Sequence, residues 1–249
     1  GCSSSSSGTG GERLTLPTIV VVAHDGAAPR ANTFGWSVSL SKAYLSVGSL
    51  YYFAGEPVLS HRVPNVDRRP RSVWFDWRRI IEGTAHAHPG HYAPGAALGQ
   101  TSSPTTIDLL GGPVSLGLGA GVTGRAHSAR FTWESPAVGD NAAQLGGHVV
   151  WTAGVATKGD VHLHFVAKAD AEDVADASGV ARVDGCTFGA SPGQVGAELD
   201  EGGTVTLTVV PSVWFDEVDF SFVSTHTTAD AGDAGVGDAG NGDVPVDIG

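Results

Sequence analysis

Hydrophobic and polar residues alternate along much of the chain, which is typical of strands with one buried face. The segment 36–41 alternates Trp, Val and Leu with serines, and 204–209 alternates threonines with Val and Leu. Further strands are predicted over 18–24, 45–53, 125–133, 147–155, 160–167 and 218–222. The link Thr157-Lys158-Gly159 is short enough to join two of these strands as a hairpin.

Helical spacing is much rarer. Trp74, Trp77, Ile80 and Ile81 share one helix face, and a second short helix is predicted over Ala169–Ala177. A long loop is predicted from about Val63 to Ser103. The expected fold is therefore all-β, an antiparallel β-sandwich of about eight to ten strands with one long His-bearing loop and one or two short helices.

Composition divides the chain into three parts. Residues 1–11 are Ser- and Gly-rich and predict a disordered tether, 12–224 the β-sandwich domain, and 225–249 a disordered acidic tail. With 36 glycines and only 16% charged residues, the domain suits short strands and tight turns. The net charge of −12 argues against nucleic acid and anionic membrane surfaces as partners.

Three histidines stand within six residues in His86-Ala87-His88-Pro89-Gly90-His91. In extended backbone His86 and His88 point to the same side, and the Pro-Gly turn can bring His91 back towards them. Three neutral imidazoles with a water or a fourth ligand suit Zn²⁺ or Cu²⁺. The alternative is a solvated loop whose histidines bind nothing.

A second pair, His162 and His164, alternates with apolar residues on a predicted strand, so both imidazoles share a face. The pair is either two further metal ligands or two exposed surface residues. His127 and His148 sit on neighbouring predicted strands and could lie beside this pair, depending on the strand register. The predicted metal ligands are His86, His88, His91, His162 and His164.

Cys2 follows Gly1 and precedes a run of serines and glycines. This start resembles the mature amino terminus of bacterial lipoproteins, in which such a Cys receives lipid. The resemblance implies a cell-envelope location, periplasmic or surface, with the protein lipid-anchored or secreted. The chain has no Met, so thioether copper sites are excluded. Cys186 is a buried apolar residue, a thiolate ligand, or the disulfide partner of an unlipidated Cys2.

Three classes of function compete. The preferred one is a cell-envelope protein that captures or delivers copper or zinc, with an envelope transporter as its expected partner. The aromatic strand Ala43–Phe53 and the His content are loosely similar to periplasmic copper-binding β-sandwich proteins associated with methanobactin uptake. The alternatives are a His-ligated metalloenzyme, hydrolase or oxidase, and a non-catalytic surface module that binds glycan or protein.

Overall fold

Most of the residues that the structure describes lie in β-strands. A computed structural model describes residues 11–22, 29–56, 95–176, 179–189, 194–222 and 246–247. Apolar side chains from these ranges form one core, and Leu16, Val47, Tyr52, Phe165 and Phe215 are among its most deeply buried members. The described part is mostly strand, as the alternating pattern predicted.

The strands are, in chain order, β1 (Arg13–Val22), β2 (Arg30–Ala31), β3 (Ser37–Phe53), β4 (Ala97–Asp108), β5 (Val114–Val122), β6 (Gly124–Ala126), β7 (Ser128–Thr132), β8 (Val150–Lys158), β9 (Val161–Ala169), β10 (Arg182–Thr187), β11 (Ala197–Leu199), β12 (Val205–Val209) and β13 (Val246–Asp247). In the described ranges three short 3-10 helices span Ala142–Leu145, Pro211–Phe215 and Phe220–Phe222.

The 17-residue strand β3 organises the sheet. It pairs with β4 along one edge, and along the other with β8 in its first half and β7 in its second. The main order is β12-β1-β5-β4-β3-β8-β9-β13. Off this path β2 pairs with β3, and β7 carries β10 on its far side, while β6 and β11 form a separate two-stranded sheet. From Leu45 to Gly48 successive residues of β3 are all buried, so both of its faces are covered there.

The strand directions correct the predicted fold. The curled sheet is mixed, because β1 runs parallel to β12 and β9 runs parallel to β13. The prediction of a purely antiparallel sheet is therefore wrong, since strand direction depends on which distant segments meet and alternation does not report it. The sandwich arrangement of the layers stays a prediction.

Several observed elements differ from the predicted ones in their bounds or in their type. Predicted strand 125–133 is divided into β6 and β7 at His127, and predicted strand 218–222 contains a 3-10 helix instead. The predicted loop 63–103 is wrong over its last seven residues, which lie in β4 and pair with β3. The hairpin of β8 and β9 is confirmed, with Gly159 and Asp160 between the strands.

The helix predicted over Ala169–Ala177 is also wrong. Ala169 is the last residue of β9, and a tight turn follows in which the Asp173 amide donates to the Asp170 carbonyl at 3.1 Å. The Asp173 carboxylate accepts from the Asp170 amide at 2.8 Å. A short acidic side chain that binds nearby amides favours a turn over a helix. The helix predicted over Trp74–Ile81 lies outside the described residues.

An aromatic cluster closes one end of the core. Phe165 of β9 packs against Phe215 and Phe220 with ring centroids 5.0 and 5.2 Å apart, and Trp36 lies 5.8 Å from Phe220. These contacts place the two 3-10 segments near Phe215 and Phe220 against the start of β3 and the middle of β9. No helix in the described ranges is long and apolar enough to cross a membrane.

Candidate metal site

His162 and His164 lie on β9, two residues apart, on the face opposite the core. His162 is exposed and His164 half-buried, whereas Phe165 and Ala167 point into the core. Their partners on β8 are Thr157 and Val155. The Thr157 hydroxyl lies 3.3 Å from Nδ1 of His162. Side chains two residues apart on a strand point to the same side, so the two imidazoles share one face, as the alternation predicted.

His86, His88 and His91 lie outside the described residues, so their convergence stays a prediction. Within the ranges that the structure describes, no three His, Cys, Asp or Glu side chains come together as a metal site. Of the ten histidines of the chain, four lie in the described ranges: His127, His148, His162 and His164.

His148 is paired with a carboxylate at the other end of the β8–β9 hairpin. Its Nδ1 lies 2.7 Å from Asp170 Oδ1, and its amide donates to the Leu145 carbonyl at 3.0 Å. In the hairpin, Val150 lies opposite Ala169, while Thr157 lies opposite His162. At about 3.3 Å per residue, His148 is roughly 20–30 Å from the His162–His164 pair. The register thus does not bring His148 beside the pair.

His127 has a different carboxylate partner. Its Nδ1 lies 3.2 Å from Glu56 Oε1, and its amide donates to the Phe53 carbonyl. This position adjoins the end of β3, whereas the hairpin tip of β8 pairs with the start of β3 at Ser37. His127 is therefore also separated from His162 and His164, and neither of the two histidines joins them.

Comparison with known proteins adds no relative. No protein family, curated protein or solved structure matches this chain.

Four charged side chains form a network on β7, β10 and the turn before β10. Arg130 pairs with Asp184, and Arg182 Nε lies 2.8 Å from the second oxygen of Asp184. Arg182 also contacts Asp176 at 2.7 Å. The network contains two cations and two anions, all partly buried, so its formal charges cancel. It joins β7 to β10, and Arg130 also lies over the Phe53 ring at 5.4 Å.

Cys186 lies on β10 and packs against the core. Burial of the thiol, with the nearby Asp184 charge, raises its pKa to about 11. A thiol with this pKa is protonated at neutral pH, and metal coordination needs the thiolate. This argues against the thiolate-ligand alternative, whereas a pairing of Cys186 with Cys2 stays an open alternative, since Cys2 lies outside the described residues.

Sequence reasoning did not find the carboxylate partners of His127 and His148. Asp170 follows His148 by 22 residues, and Glu56 precedes His127 by 71. No local spacing connects such residues, because strand pairing brings them together. The predicted hairpin implies that residues near 148 and 170 lie at the same end of two paired strands. It does not determine where the side chains of His148 and Asp170 point.

Proposed function

We propose that this protein binds a transition metal, copper or zinc, in the bacterial cell envelope and captures or delivers it. The observation that carries the proposal is the motif His86-Ala87-His88-Pro89-Gly90-His91, with three imidazoles in six residues around a Pro-Gly turn. Three imidazoles leave one tetrahedral position for water, a fourth ligand or a receiving protein.

The β9 pair supports the proposal. A strand holds His162 and His164 at fixed spacing on one face, so little backbone conformational entropy is lost when both bind an ion. Two histidines alone leave a site incomplete, and the 86–91 motif offers the missing donors. Whether the motifs share one ion or hold two is decided by stoichiometry.

The envelope location is proposed from the amino terminus. Cys2 and the following run of serines resemble a lipidated, tethered start. A tethered β-rich domain would hold its ligands close to the membrane, within reach of an envelope transporter. Incorporation of labelled fatty acid, lost in Cys2→Ala, would support this part of the proposal independently of metal binding.

The test uses the tag-free protein and titration calorimetry with Zn²⁺, and with Cu²⁺ in parallel. We expect His86→Ala/His88→Ala/His91→Ala to weaken binding at least about tenfold. We expect His162→Ala/His164→Ala to weaken the same site or to remove a second one. The matched control is His226→Ala, which removes a histidine outside both motifs and should leave the isotherm unchanged.

Acidification gives a second readout. Imidazole binds metal only when it is neutral, so affinity should fall as the pH falls through about 6.5. Wild-type affinity in the triple variant, or uptake that does not change between pH 7.5 and about 5, would contradict the proposal.

A further inference from the structure

The outward face of β3 and β8 carries a tyrosine, a tryptophan and a lysine next to one another. Tyr44 lies directly opposite Trp151 in the register of the two strands, and Lys42 lies opposite Ala153. A step of two residues separates the two pairs, so all four side chains point to the same side of the sheet. Ala43, between Lys42 and Tyr44, is fully buried in the core, so these side chains are on the side away from the core.

The three larger side chains lie against one another. The rings of Tyr44 and Trp151 have centroids 6.2 Å apart and planes inclined at 46°. Lys42 Nζ lies 6.0 Å from the centroid of the Trp151 ring. Both aromatic residues are half-buried and Lys42 is exposed, so solvent reaches all three. Together they form the Lys42–Tyr44–Trp151 patch.

The polar ends of this patch have no partner in the part of the chain that the structure describes. No described group accepts a hydrogen bond from Trp151 Nε1 or bonds to Tyr44 Oη, and no described carboxylate pairs with Lys42. Four arginines do pair with carboxylates: Arg30, Arg125, Arg130 and Arg182. An indole N–H and an ammonium group only donate, and a phenol can donate. The patch therefore offers donors and one positive charge to a ligand that supplies acceptors.

Two charged residues lie in the same row as the aromatic pair, one on each side. Asp108 of β4 lies opposite Tyr44, and its Oδ1 accepts the amide of Leu110 at 2.9 Å. Lys168 of β9 lies opposite Trp151 and has a partner of its own. The ammonium of Lys42 is therefore the charge that the patch itself contributes.

These groups together fit the chemistry of an acidic sugar. A pyranose ring has an apolar face of C–H groups, which packs against aromatic side chains, and a rim of oxygen atoms that accept hydrogen bonds. A uronic acid adds a carboxylate, which an ammonium group attracts. The net charge of −12 limits the ligand to a short one, because the rest of the molecule would repel a long polyanion.

We infer that the Lys42–Tyr44–Trp151 patch binds a short oligosaccharide that contains uronic acid. The sugar ring lies against the two aromatic side chains, and the uronate carboxylate meets the Lys42 ammonium. A cross-strand aromatic pair also stabilises a sheet, but that role needs neither the Tyr44 hydroxyl nor the Lys42 charge. The inference needs no metal ion, and it does not depend on His162 or His164.

The test titrates the isotope-labelled full chain with a linear trimer of galacturonic acid and, separately, with the methyl ester of the same trimer. The ester keeps the sugar rings and removes the negative charge. Excess chelator in the buffer prevents metal ions from bridging the protein and the sugar. The indole N–H signal of Trp151, identified by its loss in Trp151→Phe, should shift on addition of the acid. We expect the acid to bind about two- to fivefold more tightly than the ester.

Conservative variants separate binding from stability. Lys42→Gln should bind the acid and the ester equally, because the charge is lost while most of the stem is kept. Tyr44→Phe should weaken binding of both ligands about two- to tenfold, since one hydrogen bond is lost. The matched control is Tyr51→Phe, which removes the hydroxyl of another half-buried, outward tyrosine of β3 and should leave both affinities unchanged.

Three results would overturn the inference. The first is a Trp151 signal that does not move at about 10 mM of the acidic trimer. The second is equal affinity of the wild type for the acid and the ester, because the Lys42 charge would then have no role. The third is a loss in Tyr51→Phe as large as that in Tyr44→Phe, because the site would then not be this patch.

Discussion

At the scale of single residues, Cys186 illustrates how burial sets chemistry. Its pKa rises from near 9 to about 11, first because the thiolate would lose hydration and second because Asp184 is negative. The folded state therefore favours the protonated thiol. The stability this provides is complete below about pH 9 and is lost as the pH rises through 11.

We predict that Cys186 reacts slowly with thiol reagents. In a Cys2→Ser background, so that Cys186 is the only thiol, labelling by a chromogenic disulfide at pH 8 should be at least about 100-fold slower in the folded protein than in urea. Labelling at equal rates in the two states would mean that the thiol is exposed. Labelling of the unfolded chain provides the control for reagent activity.

At the scale of elements, glycine allows the strands around β5 to approach closely. The hydroxyls of Thr18, Tyr52 and Thr101 meet in the core, with Thr18 Oγ1 2.7 Å from Thr101 Oγ1 and Tyr52 Oη 3.0 Å from Thr101 Oγ1. Gly119 of β5 lies beside this trio. A Cβ there would overlap Thr101 Oγ1 and lie 2.7 Å from the Gln100 carbonyl oxygen.

We therefore predict that Gly119→Ala lowers the free energy of unfolding by about 1–3 kcal/mol or more, because a backbone carbonyl cannot move aside easily. The matched control is Gly111→Ala, where the nearest atoms would be 3.4 Å away. Urea denaturation monitored by Trp fluorescence measures both. Equal stabilities of the two variants would contradict the close approach.

At the scale of the whole molecule, Asn32 connects segments more than 180 residues apart. Its Nδ2 donates to the carbonyls of Phe215 and Val218 at 3.1 and 2.6 Å. Its Oδ1 accepts from the amides of Phe34 and Trp36. The side chain is buried, so it holds the turn before β3 against the segment 215–218.

We predict that Asn32→Asp destabilises the protein by about 3 kcal/mol at pH 7, since a carboxylate oxygen would replace the donor and face two carbonyls. The loss relative to wild type should shrink as the pH falls from 7 to 5, because the protonated acid can donate once. Asn32→Ala serves as the control, since its loss should not change with pH. Urea titrations of wild type and both variants at pH 7 and pH 5 measure the free energy of unfolding. A loss in Asn32→Asp that does not change with pH would contradict the assignment of Nδ2 as the donor to the two carbonyls.

The amino-acid sequence by itself determined the β character of this protein, because one-faced burial of a strand requires alternation and alternation is visible locally. It also predicted the β8–β9 hairpin and the shared face of His162 and His164, which need only a short link and a two-residue period. The convergence of His86, His88 and His91 stays a prediction from the sequence, because these residues lie outside the described ranges.

Only the tertiary structure decided the mixed strand directions, the partners of His127 and His148, and the turn in place of a helix after Ala169. These features join residues far apart in the chain, or depend on side chains competing for backbone groups. Strand pairing and burial set them together, and no local pattern contains that information.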